Sequence, residues 1–160
     1  MALGELNSFN ALIANEPDTP FIRRSKVRVL FAVVEAHIYH LQWIAYAASK
    51  INPSLFTDEE IWQLQGKRLR NGAVENARVS LKDSIKFAFG AFAKARGIAH
   101  PVDFGGKGGQ AFLLAVDIRD RVTHPKTTTD WSISDADNGH IDSGWKWFGE
   151  HLVEISRSSI

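Results

Sequence analysis

AFLLAVDIRDRVTHPK, residues Ala111 to Lys126, is the stretch on which the fold reading turns. Ala111, Leu114, Ala115, Ile118 and Val122 recur at the three- and four-residue spacing of one helix face. Pro125 then restricts His124 to extended backbone, so the helix is expected to end at Val122 or Thr123. Working outward, the same helical period dominates. Leu6, Phe9, Leu12 and Ile13 suggest a short helix closed before Glu16-Pro17. Pro20 to about Lys50 reads as the longest helix, apolar on more than one side through Val27, Leu30, Phe31, Val34, Ile38, Leu41, Ile44, Ala45 and Ala48, and stopped by Asn52-Pro53.

Thr57-Asp58-Glu59-Glu60 is a capping-box pattern that should open a short helix through Ile61, Trp62 and Leu64. Gly66 and Asn71-Gly72 punctuate the chain. A further long helix is expected from about Val74 to Arg96, with Leu81, Ile85, Ala88, Phe89 and Phe92 as its stripe and Gly97 as its stop. IAHPVDFGGKGGQ, residues 98–110, reads as a loop. After the loop TTTDWSISD, Ser134 or Asp135 should cap a last helix carrying Ile141, Trp145, Phe148, Leu152 and Ile155. No hairpin pattern, alternating strand or internal repeat stands out. The expected fold is all-α: one domain, 1–160, an up-and-down bundle of four long helices with one or two short extras.

Composition narrows the classes. An apolar content of 44% and a charged content of 23% are those of an ordinary globular domain. The formal net charge of +1 gives no global signal for nucleic acid, so such binding would need local patches. The absence of cysteine removes disulfides and thiol nucleophiles and fits a cytoplasmic setting. The sequence offers no apolar run of membrane-spanning length and no basic leader, so no membrane association is expected.

Within RDRVTHPK, Arg119 and His124 stand five positions apart, with Asp120 after the arginine. A guanidinium neutralises phosphate oxygens in a planar fork, and an imidazole gives or takes a proton near neutrality. Together they can carry phosphodiester chemistry without a metal. The bare spacing is weak, since roughly one such pair arises by chance in a chain of this composition. Position adds weight. Arg119 lies beside the core-facing seam, and the proline lets His124 turn back toward it, while Asp120 is placed to orient the imidazole. The plainer reading makes Arg119 and Asp120 surface charges and His124 a helix cap.

An all-α chain whose penultimate long helix closes on IRDRVTHPK resembles the HEPN superfamily, with its hallmark of Arg, a polar residue, a few more residues and His. SKVRVLFAVVEAHIYHL is similar to the long early helix of that family with its buried glutamate, here Glu35, and ISDADNGHIDSGWKWFGEHL to the closing helix. The resemblance implies an endoribonuclease that needs neither metal nor cofactor, of the toxin–antitoxin or phage-defence kind. RNA would be its substrate, and an antitoxin or defence protein a partner. RNA carries its own nucleophile, the 2′-OH, and cleavage needs a base, an acid and positive charge on the phosphorane. One chain supplies one such histidine, so the resemblance implies a homodimer with a composite site. His124 would be base or acid, Arg119 the phosphate clamp and Asp120 the orienter, with Arg121 and Lys126 as further phosphate contacts. The alternative is a non-catalytic HEPN-like module that binds a partner protein or a nucleotide.

Other features admit plainer readings. Arg23, Arg24, Lys26 and Arg28, and then Lys67, Arg68 and Arg70, with Phe21 and Trp62 nearby, could guide an RNA backbone or simply be solvated helix ends. FGGKGGQ could cradle a phosphate but lacks the Lys-Ser/Thr of a P-loop, which favours a surface loop. His37 and His40 could share a metal but have no third ligand at a recognised spacing. Glu35, taken as buried, needs a partner such as an Arg of the motif helix. Trp145 fits the core stripe, whereas Trp147 is expected either at an interface or under the preceding loop.

Overall fold

The computed structural model describes residues 2–99 and 102–157, without the side chains of Ala2, Leu3, Glu5 and Leu6. The side chain of Leu6, of the expected first stripe, is therefore not described, and His100 and Pro101 of the expected loop lie outside the described residues. Among them the protein is mostly helical: α1 (Ala2–Ile13), α2 (Pro20–Ile51), α3 (Asp58–Leu64), α4 (Leu81–Arg96), α5 (Lys107–Thr123) and α6 (Asp135–Arg157). Two 3-10 turns, Pro53–Leu55 and Thr128–Trp131, and two short strands, β1 (Lys67–Arg70) and β2 (Ala73–Asn76), complete it. No helix among the described residues is long and apolar enough to cross a membrane.

The helix ends follow local chemistry. α2 stops at Ile51, ahead of Pro53. Thr57 Oγ1 accepts from the Glu60 N–H, and the Glu60 carboxylate accepts from the Thr57 N–H, so the capping box is formed in full. Gly97 closes α4 in the left-handed conformation that only glycine adopts without cost.

The strands correct the expectation of a strandless chain. Asn71 and Gly72 have φ of 50° and 78°, the pair of positive values that a two-residue type I′ hairpin turn requires. Arg70 pairs with Ala73 beside that turn, and Lys67 with Asn76 at the far end. The hairpin occupies the start of the expected Val74–Arg96 helix. That helix begins instead at Leu81, where Ser80 caps it by accepting from the Asp83 N–H.

The chain forms two compact units, residues 1–36 with 103–153 and residues 37–102 with 154–160. The first unit is built around Phe112, 1% exposed. Its ring stacks on Phe148 at 5.1 Å and packs against Trp147 at 5.3 Å and Phe31 at 6.3 Å. Burying a ring of this size contributes about 2–3 kcal/mol. Trp147 is 8% exposed and covered at 5.1 Å by Phe104, from the loop before α5 and not the one preceding its own helix, so it is a core residue, while Trp145 is only half-buried. Leu114, expected in the buried stripe, is 44% exposed, and Phe112 and Val116 take its place on the buried face. The second unit packs small residues, Ala45 and Ala91, against Phe56, with Leu55, Ile61, Leu64 and Phe87 around them.

The glycines of FGGKGGQ serve packing. A Cβ on Gly109 would meet the Phe104 backbone at 2.6 Å, and Gly108 lies against the Trp147 ring. Gly144 of α6 is just as confined, because a Cβ there would stand 2.6 Å from the Phe112 Cα. Gly149, on the same helix, faces open space. Gly144→Ala is therefore expected to destabilise the protein by about 1–3 kcal/mol through overpacking. Gly149→Ala is expected to stabilise it by about 0.5–1 kcal/mol through backbone entropy. Urea midpoints of the two variants, at unchanged m-value, test the contrast.

Candidate functional site

α5 carries the Arg–His pair to its C-terminal end. Ile118 and Val122 are buried, which fixes the rotation of the last turns and leaves Arg119, Asp120 and Arg121 half-buried at the rim. The helix ends at Thr123, as the proline predicts. His124 has φ −125° and ψ 60°, outside the helical region, and its N–H still donates to the Asp120 carbonyl at 2.9 Å. Its side chain is exposed.

Arg119 is held by two carboxylates. Nη2 donates to Glu35 of α2, and Nη1 donates to Asp120 at 2.9 Å. Glu35 thus pairs with the motif arginine, but its side chain is 44% exposed, which corrects the buried glutamate expected from the apolar run. The reason is rotational: Val33 and Val34 take the core-facing positions, leaving Glu35 and Ala36 outside. Surface pairs of this kind contribute about 0–1 kcal/mol each. They use two of the five guanidinium donors. Asp120 is committed to Arg119, and among the described residues the His124 ring has no hydrogen-bonding partner. The structure therefore brings Arg119, Glu35 and Asp120 together and leaves His124 exposed at the end of the same helix, not oriented by Asp120.

Arg121 points to the other side of the rim and donates to Asp137 of α6 at 2.9 Å. Asp137 also accepts from the Ser134 N–H and hydroxyl, while Ser134 Oγ accepts from the Asp137 N–H at 3.1 Å, the reciprocal cap of α6. Burial works to raise the Asp137 carboxyl. The Ser134 donors and the Arg121 guanidinium outweigh it and hold the group below the ordinary carboxylate range. Lys126 is exposed at its side chain, but its N–H donates to Asp130 at 2.7 Å, as does that of Thr127 at 2.9 Å. These two backbone donors outweigh the desolvation that partial burial imposes and lower the Asp130 carboxyl as well. Asp130 and Asp137 together set the path of the chain beyond His124. Sequence reasoning passed over both, although Thr127-x-x-Asp130 and Ser134-x-x-Asp137 carry the same capping signature that was read at Thr57.

The basic clusters are largely spoken for. Arg23 binds Asp18 and Asp135, and Lys26 binds Asp142 at 2.7 Å. Arg68 binds Glu75 across the hairpin at 2.8 Å. Arg24 sits 5.4 Å from the centre of the exposed Trp131 ring. His40 stacks on Trp43 at 6.2 Å, and no group of three or more metal-ligating side chains occurs among the described residues.

No protein-family model matches the chain, and no curated protein or solved structure shows significant similarity to it.

Both lowered carboxyls give a signed pH dependence. Their folded values lie below the unfolded one, so the stabilisation is complete above about pH 4. It is lost as pH falls through the lowered folded values. The amide resonances of Lys126 and Thr127 are expected to move together in an acid titration below about pH 4, and Asp130→Asn to remove that step. Lys126 and Thr127 amide shifts that titrate in Asp130→Asn as they do in the wild type would refute the Asp130 bonds.

Proposed function

We propose that the protein is a HEPN-type, metal-independent endoribonuclease whose four long helices form an up-and-down bundle and whose active site is completed by a second copy. The observation that carries this reading is the exposed end of α5. Arg119 and His124 lie on either side of a helix terminus imposed by Pro125, both reachable from solvent, on a segment that Asp130 and Asp137 hold in place. In the reaction one His124 removes the proton of the RNA 2′-OH. The oxygen attacks the adjacent phosphorus, and the second copy's imidazolium protonates the departing 5′-oxygen, leaving a 2′,3′-cyclic phosphate. Arg119 stabilises the equatorial oxygens of the phosphorane, and Lys126 adds charge alongside. Arg121 acts chiefly by tying α5 to α6. An intracellular RNA target and an antitoxin or defence partner belong to the same proposal.

A second reading has its own observation. Arg119, Glu35 and Asp120 sum to one net negative charge (+1 − 1 − 1), and a phosphodiester must compete with both carboxylates for the guanidinium. That favours a non-catalytic module in which the pair is structural.

Cleavage of mixed RNA in excess EDTA separates the two. The wild type is expected to cut. Arg119→Ala is expected to lose about 100-fold or more in rate, as when a positioned transition-state donor is removed, and His124→Ala to lose activity altogether. Arg119→Ala should change stability by no more than about 2 kcal/mol, because it breaks two pairs whose carboxylates are solvent-exposed. Cleavage unchanged in both variants, or no cleavage by a dimeric wild type, would sink the nuclease reading.

A further inference from the structure

Among the described residues with exposed large rings, Trp131 differs in having a cation on its face. It is 44% exposed at the end of the 3-10 turn that follows the motif. The Arg24 guanidinium lies 5.4 Å from its ring centre and donates to its carbonyl at 3.3 Å. Asp130, its neighbour, is pinned to the Lys126 and Thr127 amides, two and three residues beyond His124. Trp131 is thus an indole fixed in place beside the candidate site, backed by a guanidinium and open to solvent.

The helix behind it continues the pattern. At 100° per residue, Arg24, Arg28 and Glu35 of α2 fall within about 40° of one another, on one face. Arg28 is exposed and has no ion-pair partner among the described residues. Glu35, the one acid in the row, carries Arg119 on its carboxylate. The row runs from the Trp131 stack through Arg28 to Arg119, about 16 Å of helix from Arg24 to Glu35. That is the reach of a few nucleotides of single strand. The neighbouring acids are already engaged, Asp18 and Asp135 by Arg23 and Asp142 by Lys26.

We infer that Trp131 is a stacking platform for an RNA base, and that Arg24 and Arg28 lead the strand's phosphates from it to Arg119. A flat ring with a cation behind it accepts any base, because every base has a π-face, so the track is tolerant of sequence. The inference rests on the nuclease reading for its ligand and names a subsite that the Arg–His motif does not contain.

The test uses the full chain with His124→Ala, which binds without cutting, and fluorescein-labelled single-stranded RNA followed by anisotropy. Trp131→Ala is expected to weaken binding roughly tenfold, the loss of about one stacked base. Trp131→Phe is expected to recover most of it, which a merely destabilising change would not do. Arg28→Ala should lower the slope of log affinity against log salt by about one phosphate contact. Equal affinity in Trp131→Ala overturns the platform, and an unchanged salt slope in Arg28→Ala overturns the track. Polyglutamate competing as well as RNA, with the same dependence on Trp131, would also overturn it, in favour of an acidic-protein surface. Cleavage by the wild type, read separately, keeps the two claims apart. A cutting enzyme indifferent to Trp131 loses only the track, and Trp131-dependent binding without cutting loses only the nuclease.

Discussion

α5 is seated as it is because α6 comes close enough at Gly144 to touch the Phe112 backbone. That approach is sterically closed to any residue with a side chain. It seats Phe112 among Phe31, Trp147 and Phe148, and so fixes the rotation of α5 for the rest of its length. Two turns later the same rotation buries Ile118 and Val122 and turns Arg119 and Asp120 outward. The chemistry-bearing residues are set by packing that none of them takes part in. A rigid core face can do this because interiors are packed to crystal density and transmit displacement instead of absorbing it.

Charge pairing then decides what each polar residue of the rim can do. Arg23, Lys26 and Arg121 are consumed in fastening the ends of α2 and α5 to α6 and to the segment before it. Asp130 and Asp137 are consumed in shaping the chain after Pro125. Among the described residues, the His124 ring and the Lys126 and Arg28 side chains have no such commitment, and Trp131 keeps a face open to solvent. A site assigned from residue type alone counts Arg121 among the free cations, although Asp137 holds it.

The helices were legible because their signals are local and redundant. Periodicity, the Thr57 box, Gly97 and Pro53 each acted within a turn of the residue concerned. The hairpin was missed because Lys67–Arg70 alternates a single leucine with cations and buries almost nothing. Its only strong signal was Asn71-Gly72, which serves as well for a loop. Leu114 and Glu35 failed for a shared reason. A helix has more apolar positions than its buried arc can take, and only the neighbouring elements decide which of them are covered. The same indeterminacy hid Trp147, whose burial depends on Phe104 in a loop with no period of its own.

The two carboxylates on Arg119 bear on what kind of site this is. A clamp in a nuclease must hold its geometry before substrate arrives and yield its donors when a phosphate does. A guanidinium with buried partners could not yield, because separating such a pair leaves an uncompensated charge. Here Glu35 and Asp120 are 44% and 48% exposed, so water can solvate each carboxylate as the guanidinium turns to another anion. The pairs are tight enough in geometry to orient Arg119 and weak enough in energy to be exchanged. In the proposed nuclease, repulsion between the incoming phosphate and those same carboxylates remains, and the second copy would bring its own pair of acids along with its Arg119. Net attraction must therefore come from outside the triad. Lys126 and the cations of α2 supply it in that reading, which the track along Arg24 and Arg28 supports without being a condition of it.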